Sequence, residues 1–258
     1  MLPDKKILKI EAKLDKLRIK HKDSGDHRVA ENVFDDATLK TLYYLSNRGY
    51  IKAFGGSIST GKEANVFDAV GKNDKDVAIK IYRISSGNFK AVQEYILGDH
   101  RFENVKHDRK NIVLTLAKKE FQNLKRARDA GVRVPQPFVI ERNVLIMEFI
   151  GQNSIPSPQL RNVKMALEDT KHVFEQIVEY MRIMYCDADM VHSDLSEYNI
   201  LIEEGATPVI IDIGQGVLRS HPMSEQFLKR DVSNVTRFFK KRGVNATDEQ
   251  IMTIITQG

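Results

Sequence analysis

The sequence predicts an α+β fold of two lobes, a small β-rich one and then a reduced helical one, with extra helices on the amino-terminal side. Three observations carry this. Short alternating apolar stretches gather between residues 50 and 150. Stretches of helical period dominate after residue 158. Between them lies 151–158, rich in Gly, Pro and Ser, which reads as a linker. The expected division is a helical extension over 1–48, a small lobe over 49–150 and a helical lobe over 151–258, with a ligand held between the lobes.

The elements follow in order. Ile7, Ile10, Leu14 and Leu17 fall at helical spacing among lysines, which predicts an amphipathic helix packed on the main body. Asp35 or Asp36 can cap a second helix reaching about Arg48, where Gly49 fits the stop. A Gly-rich turn over 55–63 precedes two strands, 64–70 and 77–82, joined by a Gly-Lys-Asn-Asp turn. Residues 85–111 hold Gly, Asn, Asp and His without period, which predicts a mobile loop. A helix over 116–130 ends at Gly131, and 138–140 with 144–149 reads as a hairpin. A long helix over about 167–185, two short strands near Asp194 and Asp212, and a closing helix over about 224–242 with a short helical tail complete the pattern.

Composition narrows the class. With 258 residues and 41% hydrophobic content, the sequence is enough for one or two domains with a sizeable core. No apolar run approaches the roughly 20 residues of a membrane span, and the first residues lack the apolar block of a signal peptide. The single cysteine, Cys186, has no partner for an internal disulfide. A cytoplasmic protein without membrane contact is the expectation. Net charge is +5, and residues 1–22 carry eight Lys/Arg against three Asp/Glu. That excess fits either attraction to a polyanion such as RNA or an ordinary solvated helix face.

The chemistry is concentrated in a few motifs. His192-Ser193-Asp194-Leu195-Ser196-Glu197-Tyr198-Asn199 sets an acid and an amide five residues apart, and Asp212 follows in Ile210-Ile211-Asp212-Ile213-Gly214. Phosphoryl transfer needs a carboxylate that orients the attacking hydroxyl, and an amide and a second carboxylate that hold Mg²⁺ against the phosphates. The spacing follows the kinase pattern H-R-D-L-x-x-x-N, with Ser193 in place of the Arg. Asp194 is the candidate base, and Asn199 and Asp212 are the candidate metal ligands. His192 is expected to support the loop by hydrogen bonding, and Asp231 either braces that loop from behind or faces solvent.

Val77-Ala78-Ile79-Lys80 matches the kinase V-A-I-K strand, which places Lys80 on the α- and β-phosphates. A buried lysine needs an anion; Glu120 is the leading partner, with Glu94 and Glu103 as alternatives. Gly56 and Ser57 belong to a turn whose backbone N–H groups can approach phosphate, and Lys62 closes it. Gly56 to Lys62 also fits the ATPase pattern G-x-x-x-x-G-K, but Glu63 stands where a Ser or Thr should ligate Mg²⁺, and a strand follows where a helix should. The backbone carbonyl of Glu148 and the backbone N–H of Ile150 are the candidate adenine contacts. Taken together, the motifs stand in kinase order and predict a two-lobed protein-kinase-like fold that uses ATP and Mg²⁺, or Mn²⁺ in its place.

Ser59-Thr60-Gly61-Lys62-Glu63-Ala64-Asn65-Val66, the His192–Asn199 segment and Ile211-Asp212-Ile213-Gly214-Gln215 resemble the RIO family of atypical protein kinases, in the forms of its first class. The resemblance covers about 50–242. It implies ATP- and Mg²⁺-dependent serine kinase activity with autophosphorylation, and a role with small ribosomal subunit precursors, their protein and rRNA included. It implies also that Asp212 can itself take a phosphoryl group, giving an ATPase. Asp194 then carries catalysis together with Asp212, and Ser57, Lys80, Glu148 and Ile150 contact nucleotide. The 46 residues after Asp212 contain no Ala-Pro-Glu, so an extended peptide platform is expected to be missing. Two other readings stand beside this one: a small-molecule kinase of the aminoglycoside or choline type, and a nucleotide-switched assembly factor with little turnover.

Overall fold

The computed structural model describes residues 5–17, 35–84, 95–103, 105 and 108–257. The protein forms two compact units built from non-contiguous stretches: Met1–Asn88, His107–Lys118 and Pro137–Pro156 in the first, and Phe89–Lys106, Lys119–Gln136 and Ser157–Gly258 in the second.

The first unit is built on an antiparallel sheet of five strands: β1 (Ala53–Thr60), β2 (Ala64–Val70), β3 (Asp76–Tyr82), β4 (Pro137–Glu141) and β5 (Val144–Glu148). Their order is β1-β2-β3-β5-β4, so β3 is central. The two-residue period of a strand divides β3 between two faces. Val77, Ile79 and Ile81 enter a core with Phe54, Phe67, Val144 and Ile146, and with Leu42 and Leu45 of a covering helix. Lys80, opposite Val66 and Leu145 in the register, belongs to the other face. The covering helix is α2 (Asp36–Asn47), joined by α1 (Lys5–Leu17). The Asp35 carboxylate caps α2 by accepting the Thr38 N–H at 2.7 Å, and Gly49 takes the left-handed conformation that ends it. Asn143 pins α2 to the sheet, donating to Thr38 Oγ1 and Tyr82 O, both at 2.9 Å.

Three expectations about this region are corrected. The Gly-rich segment is strand as far as Thr60, and its turn is confined to 61–63, where the Gly61 N–H meets Ala64 O at 2.9 Å. Gly55-Gly56-Ser57 signals a turn locally, but pairing with β2 absorbs it through register shifts between Phe54 and Ser59. The segment 151–158 holds a small hairpin, β6 (Gly151–Gln152) with β7 (Ile155–Pro156), where a linker was expected. The third correction concerns the expected mobile loop over 85–111. Residues 85–94, 104, 106 and 107 lie outside the described residues. Asp99, however, caps a 3-10 turn over His100–Phe102, and helix α3 (Arg109–Asp129) starts well before residue 116. Asp108 is the unread cap, accepting the Asn111 N–H at 3.0 Å.

The second unit is mainly helical. It contains the later part of α3, then α4 (Leu167–Cys186), α5 (Ser224–Lys240) and α6 (Asp248–Thr256). Two small ladders, β8 (Met190–Val191) with β11 (Val217–Leu218) and β9 (Ile200–Glu203) with β10 (Thr207–Ile210), frame the loops that carry polar motifs. Val173, Ile177 and Met181 of α4 and Val232, Val235 and Phe239 of α5 supply the core, and Phe174 packs on Phe239 with ring centroids 5.3 Å apart.

Ile79 is fully buried in the sheet core. Ile79→Ala is expected to lower unfolding free energy by about 2–5 kcal/mol through lost burial and a residual cavity, read as a fall in the denaturant midpoint.

Candidate active site

In the first unit the candidate residues sit on or beside the sheet. Lys80 is 7% exposed on the central strand, with its ammonium 5.4 Å from the Tyr82 ring centroid. Glu148 ends β5 opposite Val77, and buried Phe149 and Ile150 follow. Gly56 and Ser57 lie within β1, and Lys62 is exposed in the turn after it. The Ser57 hydroxyl is buried without a hydrogen-bond partner in the protein. A buried orphan of this kind is uncommon, and it fits a residue that hydrogen-bonds a ligand.

In the second unit β8 delivers His192, Ser193 and Asp194. His192 is 1% exposed; its Nε2 donates to Ile211 O at 3.1 Å, and its Nδ1 accepts the Asp194 N–H at 3.3 Å. The expected supporting role is therefore seen, and it ties the Asp194 loop directly to the residue before Asp212. Asp231 braces the same loop from α5: its buried carboxylate accepts Ser193 N at 2.8 Å and Leu195 N at 2.9 Å. Ser193 has φ 69°, a left-handed conformation uncommon outside glycine, so those N–H bonds hold it in place. Where the kinase pattern has Arg, Ser193 is fully buried; a guanidinium reaches the loop from elsewhere, as Arg230 donates to Ser193 O and to Tyr95 Oη.

Asn199 and Asp212 meet through the β9–β10 ladder. The pair Ile210–Ile200 is followed by a bond from the Ile211 N–H to Asn199 O at 2.9 Å, which sets Asp212 next to the asparagine. The Asn199 amide donates to Asp194 O at 2.9 Å and to its Oδ2 at 3.3 Å. Its N–H₂ is thereby spent on Asp194, and its Oδ1 is left as a hard oxygen donor. Asp212 is exposed and left-handed, φ 58° and ψ 51°. Burial raises the Asp194 carboxyl above the usual carboxylate range, the Asp212 charge adds to this, and Arg230 and Asn199 pull it back.

Glu120, 1% exposed on α3, lies against the loop after Asp212: a Cβ added at Gly214 would sit 3.2 Å from its Oε2. Beside it, the fully buried Lys119 ammonium donates to the carbonyls of Gly214, Gln215 and Gly216. Burial pushes that ammonium down to about 7; Asp99 pulls it up and Arg101 pushes it further down. Asn123, also fully buried, donates to Ile213 O at 2.9 Å and Gly216 O at 2.8 Å. Lys119, Asn123 and Arg230 had escaped sequence reading, since each binds backbone carbonyls that carry no side-chain signature.

Among the described residues no three His, Cys, Asp or Glu side chains converge on one point. An amide oxygen, one exposed carboxylate and a neighbouring aspartate form a sparse oxygen set. It fits Mg²⁺, which keeps water and takes phosphate oxygens beside one or two carboxylates.

A model of the RIO domain matches residues 65–252. The protein is 46% identical over 242 residues to the RIO-type serine/threonine-protein kinase Rio1 of Haloferax volcanii, covering 94% of this chain and 82% of that one. The chain belongs to the RIO family. The human serine/threonine-protein kinase RIO1 is 40% identical over 86% of this RIO chain, which spans only 39% of the human protein. Among solved structures, the Rio2 kinase of Chaetomium thermophilum matches with a TM-score of 0.64 and 22% identity, over 84% of this chain and 67% of that one. Its ADP/Mg²⁺-phosphoaspartate complex matches at 0.63 and 19%, over 98% and 86%. The two-lobed kinase-like fold expected from the RIO motifs is thus present, as is the predicted family. No helix among the described residues is long and apolar enough to cross a membrane.

Two outcomes follow for the Asp231 brace. Asp231→Ala is expected to cost roughly 2–6 kcal/mol, since two buried N–H groups at about 1–3 kcal/mol each lose their acceptor; thermal unfolding measures it. Burial also pushes the Asp231 carboxyl up to about 7, against the pull of both N–H groups and Arg230. Because the folded value lies above the unfolded one, the linked stability is full below roughly pH 4 and is lost as pH rises toward 7. Asp231→Asn is expected to flatten that slope in denaturant titrations across this window.

Proposed function

We propose that this protein is an ATP- and Mg²⁺-dependent atypical serine kinase, with itself among its substrates, acting with small ribosomal subunit precursors. The observation that supports the reading most is the Asp194–Asn199–Asp212 arrangement, in which one ladder and one amide bring two carboxylates and an asparagine together. The relatives are named serine/threonine-protein kinases, which supports the kinase part of this reading.

In this reading the acceptor hydroxyl is oriented by the Asp194 carboxylate, which takes its proton as the new oxygen–phosphorus bond forms and the bond to ADP breaks. The raised affinity of Asp194 for a proton suits that task. Lys80, with Glu120 as its anion, steadies the α- and β-phosphates, and the Glu148 C=O and Ile150 N–H hold adenine. Gly56, Ser57 and Lys62 cover the phosphates, the orphaned Ser57 hydroxyl finding its acceptor there. Mg²⁺, or Mn²⁺, held by Asn199 and Asp212, supplies charge neutralisation at the phosphates when bound. Residues 1–48 serve as a helical extension, 49–150 as the nucleotide-binding part and 151–258 as the catalytic part, in a cytoplasmic protein.

The exposure of Asp212 favours a second output. An exposed carboxylate can accept the phosphoryl group and release it to water, which makes the protein an ATPase switch. A phosphoaspartate is named in the Chaetomium thermophilum complex.

Asp194→Ala is expected to lower autophosphorylation by about 10²–10⁴-fold while ATP still binds; labelled phosphate transfer and a fluorescent-nucleotide titration measure the two. Wild-type labelling by this variant would sink the role of Asp194. Acid-stable phosphoserine against hydroxylamine-sensitive phosphate separates the protein-kinase output from the aspartyl one, and turnover of a hydroxylated metabolite would favour a small-molecule kinase.

A further inference from the structure

Asp212 is held in a strained backbone conformation, and such strain needs a support. A left-handed aspartate is an unfavoured conformation that survives only where its surroundings over-determine it. The surroundings here come from one face of α3. Four consecutive carbonyls, Ile213 to Gly216, point toward two side chains one helical turn apart: Asn123 binds the first and last, and Lys119 the last three. Both side chains are fully buried, so water cannot substitute for either. Asn123 is itself held in place. The Arg101 guanidinium donates to Asn123 Oδ1 at 2.9 Å, and Arg101 is fixed by Asp99 through bonds of 2.8 and 2.6 Å. The loop is also made to fit. A Cβ at Gly216 would stand 3.1 Å from Asn123 Nδ2, and one at Gly214 would crowd Glu120.

We infer that Lys119 and Asn123 are positioning residues for the metal-binding aspartate: a buried ammonium and amide clamp the 213–216 carbonyls and thereby fix Asp212 in its ligating conformation. The arrangement is one that carries charge as well as shape. In its charged form the ammonium makes hydrogen bonds roughly twice as strong as those of a neutral donor. The inference rests on the reading of Asp212 as a metal ligand.

The test uses the full-length protein, with Lys119→Met and Asn123→Leu as variants that keep bulk and remove donors, and Asp212→Asn as the control. Two readouts are taken: amide hydrogen exchange over 211–217 without metal, and Mn²⁺ binding in the presence of ADP, followed by electron paramagnetic resonance. Both clamp variants are expected to speed exchange at 213–217 and to weaken Mn²⁺ by about 10–100-fold, with ADP affinity in the absence of metal unchanged. Asp212→Asn is expected to weaken Mn²⁺ while exchange at 213–217 stays as in the wild type. If the folded clamp variants keep wild-type exchange and Mn²⁺ affinity while Asp212→Asn loses the metal, the inference is overturned and the reading of Asp212 stands. If Asp212→Asn keeps the metal, that reading falls and the inference with it. Should Lys119→Met fail to fold, Asn123→Leu decides alone; failure of both to fold would make the pair part of the core and overturn the positioning role.

Discussion

The Asp231 carboxylate lies beneath the catalytic loop with almost no solvent contact, and its two oxygens take the N–H groups on either side of Asp194. A loop that must expose one acid cannot hide its own backbone polar groups, and each unpaired one is costly when buried. Asp231 resolves that conflict. It lets Ser193 adopt a left-handed backbone immediately before Asp194. His192 extends the restraint to Ile211, and so to Asp212. The arrangement of acid, amide and second acid in the second unit therefore depends on one buried carboxyl group that binds backbone on either side of Asp194.

A similar division of labour recurs around Asp212. The aspartate is exposed, while the segment after it is held from within by Lys119 and Asn123. In both places a buried polar group shapes the backbone beside a carboxylate, half-buried at Asp194 and exposed at Asp212. The cost of burying Lys119 shows in the lowered proton affinity of its ammonium, and it is offset by three carbonyls and by Asp99.

Much of this chemistry was legible because kinase motifs are local. Val77-Ala78-Ile79-Lys80 alternates like a strand and became the central one, with Lys80 on the face opposite the Ile79 core. Asp194, Asn199 and Asp212 could be named from spacing, since five residues of loop and one short hairpin fix their separation. Errors arose where a local signal met a long-range one. Gly55-Gly56-Ser57 signals a turn, yet the segment is a strand because pairing with β2 runs on either side of it and the irregularity is absorbed as register shifts. The early start of α3 went unread because Asp108 sits in sequence without helical period and only its capping bond reveals it.

By itself, the sequence determined the family and the residue types that carry its motifs: a lysine on a buried strand, two aspartates and an asparagine, in an order that marks the RIO family. Side-chain identity and short spacing are enough for that, because reacting groups must be particular atoms at near-fixed separations. Only the tertiary structure decided what holds them. Asp231 lies 37 residues after Asp194 in the sequence, and Lys119 lies 95 before Gly214. What these residues bind is backbone, which every residue carries alike, so no pattern of residue types could announce the contact until folding brought it about.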